Sequence, residues 1–360
     1  MTNRMTGFFL LLSLILPSQL PAREARLQVY EDAVLPKTLS LCGEPMPLQD
    51  RHVREMLDRE VTISAWDRAQ VFMWLKRAGR YFPYIEEKLE EARMPQDLKY
   101  LAVAESSLIV HIRSSKGAMG TWQFMPYTGR KNGLRKDRLI DQRRDFERST
   151  RAALAFLKSL KDHFGSWTLA MAAYNCGGAR LDKEIKRQKV KDYYRLKLYR
   201  ETERYIFRIA AAKVIMENPQ QYGYRLDPDR VYRPIPSDSV NVRISVPIPI
   251  TDVAIALGTD YKEIKELNPF IRKYHLPTGR YRLKVPPGKG SRLPAVIKKL
   301  ARTNKRRPAP KIEGNYYVVR QGDTLSHISK KTGVPVSTLK KLNGLDNSLI
   351  RVGERIRLSP

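Results

Sequence analysis

The chain has 360 residues, 42% of them hydrophobic, a formal net charge of +30 and an isoelectric point near 10.1. That length and apolar content can fill two or three proper cores, which excludes a disordered polymer. The charge favours polyanions in general, but no nucleic-acid-binding motif and no RNP-type aromatic strand pair is present, so nucleic acid is not an expected partner.

Arg4, the apolar run from Gly7 to Leu16 and then Pro17-Ser18 read as a secretory signal over residues 1–22, with cleavage after Ala22. The run is too short to span a bilayer comfortably. Cys42 lies far beyond it, so Leu39-Ser40-Leu41-Cys42 is not read as a lipid-attachment site. Export would place the chain's two cysteines, Cys42 and Cys176, in an oxidising compartment where a disulfide is permitted; the sequence leaves their pairing open. No accompanying Cys or His has ligand spacing, so no metal is expected.

Residues 23–75 read as an amino-terminal helical segment. Apolar spacing predicts helices over Gln49–Ile63 and Ala65–Arg93, with Val71, Trp74, Leu75, Ala78, Ile85 and Leu89 on the inner face. Trp66 and Trp74 read as packing rather than as sugar platforms. Residues 76–225 continue as a helical body. Pro95 opens a helix on which Leu98, Leu101, Ala102 and Glu105 share one face. A carboxylate on an apolar face is poorly solvated and holds its proton tightly, which suits Glu105 to general-acid work. The helical pattern then stops at Ser106-Ser107. Glycines at 117 and 120 permit close backbone approach, and Trp122, Gln123, Phe124 and Met125 ahead of Pro126 supply a ring and an amide suited to a saccharide groove. The charged run Asp137–Asp145 reads as turn. Asp141 and Asp145, beside Arg138, Arg143 and Arg144, read as ion-paired and capping residues rather than as a second catalytic carboxylate. Helices follow over Ser149–His163 and Trp167–Asn175. Glu201 and Thr202 head another that contains Tyr205 and are expected to wall or cap the groove.

Four ordered stretches then carry a resemblance: Glu105-Ser106; Gly117 to Pro126, read as Gly-x-Met-Gly-x-Trp-Gln-Phe-Met-Pro; Ala172 to Gly178; and Glu201-Thr202-x-x-Tyr205. Their order resembles the signature of the soluble-lytic-transglycosylase, or goose-lysozyme-like, family. The resemblance implies a mainly α fold with a lysozyme-like helical catalytic domain over 76–225. It implies Glu105 as the catalytic acid and Ser106, Met119, Gln123, Met125, Tyr174 and Asn175 as substrate-binding residues. The Tyr174 hydroxyl is expected on the catalytic carboxyl. No cofactor is implied.

Beyond the Pro-rich connection Tyr232–Pro236 the chain repeats itself. Gly258 to Asn268 and Gly333 to Asn343 are both ten residues, and Gly279 to Pro286 and Gly353 to Pro360 are both seven. The second unit, 316–359, has a strand, Gly322-Asp323-Thr324-Leu325, two short helices, the second expected to be capped by Ser337, and a last strand. This order resembles LysM, a small α+β (βααβ) module that binds N-acetylglucosamine-containing chains. The resemblance implies sugar contact at Gly322, Asp323, Thr324, Leu325, Asn347 and Ile350, largely through backbone groups. The first unit, 238–287, is a degenerate copy with Pro247-Ile248-Pro249-Ile250 in place of Gly-Asp-Thr. Between them, 288–315 reads as a basic linker that includes a short basic helix, with nine Lys or Arg and no acid from Lys289 to Lys311.

These readings imply an exported, monomeric peptidoglycan lytic transglycosylase of the periplasm or cell envelope. Glycan strands are its partner, and the basic stretch offers peripheral contact with an anionic membrane surface. The alternatives are a muramidase-type hydrolase on the same fold and a non-catalytic peptidoglycan-binding protein.

Overall fold

Three hydrophobic cores organise the residues that a computed structural model describes, 34–305, 312–320 and 322–359. The expected signal segment 1–22 and the Arg306–Pro310 part of the basic linker lie outside the described residues. Among the described residues no helix is long and apolar enough to cross a membrane.

The first core runs from Leu41 to Tyr224. A small hairpin, β1 (Ser40–Leu41) and β2 (Glu44–Pro45), precedes α1 (Arg51–Trp66) and α2 (Arg68–Glu91). Asp50 and Asp67 cap these helices, so each starts later than its apolar spacing suggested. A 3-10 turn at Gln96–Leu98 leads into α3 (Lys99–Ser106). There follow α4 (Pro126–Lys131), α5 (Phe146–Phe164), α6 (Trp167–Cys176), α7 (Gly178–Gln188) and α8 (Arg200–Glu217). Helix α8 is the axis of the domain: Tyr205, Ile206, Ile209, Ala210 and Ile215 are all buried, and it packs on α1, α3 and α6. Glu60 of α1, almost wholly buried, grips Arg204 of α8 with paired contacts of 2.7 and 3.2 Å.

The amino-terminal segment is therefore part of this domain rather than a separate unit. Asp97 Oδ2 accepts the Cys42 backbone N–H at 2.7 Å, and Glu44 caps α6 through the Trp167 and Thr168 backbone N–H groups. Cys42 and Cys176 are both free thiols. Cys42 is buried in the turn of the hairpin while Cys176 faces the groove described below, and polar contacts do the tethering that a disulfide would have done.

The connection to the next module is pinned, not free. Gly79 of α2 has no side chain where Val231 lies, since an added Cβ would fall 2.1 Å from Val231 Cγ1. This lets the Tyr232 N–H reach Lys76 O at 2.9 Å, while Arg80 donates to Arg233 O at 3.0 Å and covers the Tyr232 ring.

The second core belongs to the degenerate module: β3 (Asp238–Ile244), β4 (Ile248–Pro249), α9 (Ile250–Leu257), α10 (Tyr261–Leu267), β5 (His275–Leu276) and β6 (Gly279–Val285). Strands β3 and β6 pair antiparallel, Asp238 opposite Val285 and Ile244 opposite Gly279. The module does not stop near 287. Helix α11 (Leu293–Lys305) lays Leu293, Ile297 and Ala301 into the same core and turns Lys298, Lys299 and Arg302 outward, so the basic helix expected in the linker packs on the module and is not a free spacer.

The third core is the last module, with β7 (Ile312–Glu313), β8 (Tyr316–Val318), α12 (Leu325–Thr332), α13 (Val336–Asn343) and β9 (Arg355–Arg357), and sheet order β7-β8-β9. Thr324 caps α12, whereas α13 begins behind Pro335, so Ser337 lies inside the helix and is not its cap. The same brace closes both modules. Asn268 bonds the backbone of Lys284 through both N–H and C=O, and Asn343 does the same to Arg357. The mainly α body followed by two βααβ units matches the expected fold class.

Candidate active site

Glu105 sits on the last turn of α3, at the floor of a groove of about 1010 Å³ walled by residues 114–128 on one side and by 174–176 and 199–208 on the other. The helix cannot continue past it. Ser107 and Leu108 adopt φ of 51° and 60°, a region that side chains disfavour, and Arg77 and Trp74 hold Ser107 there through its carbonyl and hydroxyl. Ser107 Oγ accepts from Trp74 Nε1 at 2.9 Å, which places Trp74 in the packing, while Trp66 is exposed.

The apolar face anticipated from the sequence has its electrostatic consequence. Burial pushes the Glu105 carboxyl from 4.5 up to about 7, against the hydroxyl of Tyr205 and the guanidinium of Arg208, which both favour the ionised form. Tyr205 Oη, itself almost wholly buried, donates directly to Glu105 Oε1. Arg208 Nη2 donates to Ala104 O at 3.0 Å beside it. A carboxyl group balanced near neutrality, oriented by one donor and facing a groove, can give a proton and afterwards take one.

The expected Tyr174–Glu105 contact is not made. Tyr174 Oη donates to Trp122 O at 2.7 Å and its ring packs at a tilt against Phe124 and Phe156, so it braces the groove wall and Tyr205 takes the place beside the acid. Helix α6 ends at Cys176 with Tyr174 pointed at the 122 carbonyl, whereas α8 crosses α3 and brings Tyr205 onto Glu105. The spacing of α8 could have shown this: Glu201, Tyr205 and Arg208 are four and three residues apart, one stripe of the helix, and all three line the groove.

Other expected contacts divide. Gln123, Met125 and Asn175 line the groove, with Met125 41% exposed. Gln123 has φ of 44° and folds its amide back onto Gly120 O at 2.8 Å, which leaves its side-chain oxygen unengaged by that bond. Asn175 Oδ1 accepts from Thr202 Oγ1 at 3.0 Å. Ser106 and Met119 are not groove residues. Ser106 is buried and donates to Ala102 O and Thr121 O; Met119 is buried and bridges Arg113 and Phe124 through its backbone. Trp122, read as a stacking ring, is fully buried and donates to Thr150 Oγ1 at 2.9 Å. The tight turn buries the residue that the motif offered as a platform and exposes Met125 instead.

Behind the wall, Arg143 holds the loop in shape. It lies almost wholly buried in a paired contact with Asp141, at 2.9 and 2.8 Å, and its Nη1 donates to Gly117 O at 3.0 Å and Phe124 O at 2.8 Å. Gly120, at φ of 83°, packs so closely on this turn that an added Cβ would meet Arg143 O at 2.0 Å. Gly120→Ala should therefore lose about 3 kcal/mol of stability, from left-handed strain plus overpacking. An unchanged chemical-denaturation midpoint would contradict this.

In the last module, Asp323 accepts from Tyr317 Oη, the Arg320 N–H and Lys331 Nζ; Thr324 caps α12; Leu325 is core and Ile350 packs against it; Asn347 caps Leu349 N. These side chains build the loops. Gly322, at φ 84°, and Leu349 are exposed on them.

Residues 82–197 match the transglycosylase SLT domain family, and residues 317–359 match the LysM domain family. The chain is 32% identical over 297 residues to membrane-bound lytic murein transglycosylase D of Escherichia coli K12, covering 78% of this chain and 64% of that protein. The chain thus spans about two thirds or slightly less of that curated relative's length, 64%. The LysM end is 52% identical over 42 residues to the probable peptidoglycan endopeptidase LytE of Bacillus subtilis, covering 12% of this chain and 13% of that one. Among solved structures, the 70 kDa soluble lytic transglycosylase of Escherichia coli aligns at TM-score 0.34 with 17% identity, over 50% of this chain and 32% of that one. The SLT match includes Glu105 and the groove loop and stops short of α8, so Tyr205 and Arg208 lie outside it.

Proposed function

We propose that this protein is a peptidoglycan lytic transglycosylase that cleaves the β-1,4 bond from N-acetylmuramic acid to N-acetylglucosamine and leaves a 1,6-anhydromuramic acid end. The observation that carries this is Glu105, a partly buried carboxyl group held near neutral pKa at the groove floor. Protonated, it gives its proton to the glycosidic oxygen as the bond to the anomeric carbon breaks. The resulting carboxylate takes the proton of the muramoyl C6 hydroxyl as that oxygen bonds to the same carbon. No water is consumed, so one carboxyl group serves both steps. Tyr205 orients it, and Gln123, Met125 and Asn175 line the path of the glycan.

A muramidase-type hydrolase is the second reading, because a second carboxylate, Glu201, lines the same groove. A hydrolase would use it to activate water. Glu201 is, however, exposed and paired with Lys116 at 3.6 Å, a setting that supports a wall role. Glu201→Gln should keep activity within about threefold, as expected for an exposed ion pair; a loss near 10³-fold, as for a catalytic base, would favour the hydrolase.

The LysM domain supports attachment to the same polymer, and with it location in the envelope or at the cell wall; export by residues 1–22 and contact of the basic face with anionic lipid belong to the same proposal. Weak binding at a second point raises the effective concentration of the groove at nearby bonds. Removing 317–359 should cut the rate on intact sacculi by about tenfold or more and leave short soluble muropeptides nearly unaffected. Equal losses on both substrates would count against tethering.

A further inference from the structure

We infer that the degenerate module, 238–305, is a clamp that holds the catalytic groove in shape and not a second glycan binder; this rests on reading the groove as the catalytic site. Its helices begin at 250 and 261, each 75 residues before their counterparts at 325 and 336, so the two modules can be compared position by position. In the last module no backbone hydrogen bond joins 322–325 to 346–350 among the described residues. In the degenerate module the corresponding segments are zipped together: Ile248 pairs with Leu276, Pro249 with His275, and Ile250 N donates to Tyr274 O at 2.9 Å. Backbone groups that a sugar would need are already used. The Pro-Ile-Pro-Ile sequence is what builds this closure.

The segment next to that closure is bound to the catalytic domain instead. Asp141 N donates to Phe270 O, and Arg272 N to Leu139 O, both at 2.8 Å, which makes Ile140 and Ile271 partners across an antiparallel bridge. Ile140, from the catalytic domain, is fully buried in the module's core. Lys284 pairs with Glu147, and Arg272 Nη1 donates to Asp137 O at 2.8 Å.

The bonds continue to the groove. Asp141, fixed by Phe270, holds Arg143, and Arg143 holds the carbonyl of Gly117, at the start of the groove loop, and that of Phe124, which stands between Gln123 and Met125. Asp141 and Arg143 are buried and mutually neutralised, so the pair has one stable arrangement and transmits the position of the docked module to the loop. Asp141 and Arg143 are positioning residues; neither lines the groove.

The test uses the full chain with Ile140→Asp, which puts a charge where the module's core receives an apolar side chain. Hydrogen exchange read by mass spectrometry should rise at 270–272, reporting undocking, and also at 117–124, with α6 and the carboxyl-terminal half of α5 unchanged. On a short soluble glycan kcat/KM should fall about tenfold or more, because small misplacement of a binding loop is expensive in rate. Binding to sacculi through the LysM domain should stay the same, and Ile140→Val should restore both exchange and rate. If Ile140→Asp does not fold, Arg272→Ala with Lys284→Ala loosens the same seam from its surface and is read the same way. Undocking at 270–272 with unchanged protection at 117–124 and unchanged kcat/KM would overturn the clamp. Should the wild type prove inactive on glycan, the proposed function fails while the exchange measurements still decide whether the module holds the loop.

Discussion

Glu105→Gln should abolish turnover, lowering kcat/KM by about 10³-fold or more, and at the same time make the protein more stable at pH 8. The loss follows from removing the proton that must be given and retaken. The gain follows from burial. In the folded protein the carboxyl holds its proton up to about pH 7, against 4.5 in an exposed chain. Above pH 7 folding must therefore carry an ionised carboxylate on a poorly solvated floor, an expense of about 3 kcal/mol that glutamine escapes. Below 4.5 the carboxyl is protonated in both states and the advantage disappears. The wild type's relative stability is thus greatest at low pH and is lost as pH rises through 4.5 to 7. Melting temperatures of the two proteins across pH 4 to 8 check this: they should coincide at the acid end and separate towards the alkaline end. A constant difference would mean that Glu105 is not a proton-holding group.

Tyr205→Phe is expected to have the next largest effect, about 10- to 100-fold in kcat, because the variant loses the hydroxyl that fixes the acid but keeps the ring that fills the core. Its pH profile should separate chemistry from packing. The hydroxyl donates to the carboxylate and stabilises the ionised form. Without it the Glu105 proton is held more tightly, so the alkaline limb of kcat/KM should move above its wild-type position near pH 7. Tyr174→Phe should leave that limb in place, since the Tyr174 hydroxyl serves Trp122 O. A limb that moves with Tyr174 and not with Tyr205 would reverse the two assignments.

The sequence was most legible where a local rule governs. Helical period alone places Glu105 among Leu101 and Ala102 and foretells its raised pKa. The repeat of Gly258–Asn268 in Gly333–Asn343 foretells two similar modules, and the structure adds that the repeated asparagine is their shared brace. Residue types misled where a turn decides which side faces out. Trp122, Met119 and Ser106 look like groove residues by position in a motif, but the positive φ at Gly120 and Gln123 turns Trp122 and Met119 inward. The two motif tyrosines could not be told apart without knowing which helix crosses α3. Ile140 stood in a charged run with no periodicity, so its burial in another module's core was invisible; only a contact some 130 residues away along the chain gives it meaning. The basic stretch after 287 shows the same limit: its charge was conspicuous, while the Leu293, Ile297, Ala301 stripe that docks it was not.

The most direct measurement is the mass of the ends released when purified protein digests peptidoglycan in water enriched in heavy oxygen. A lytic transglycosylase releases muramic acid ends that lack the elements of water and carry no heavy oxygen, because the C6 hydroxyl of the same sugar closes on the anomeric carbon. Reducing ends heavier by one labelled water would contradict that reading, and would make Glu105 the acid of a hydrolase.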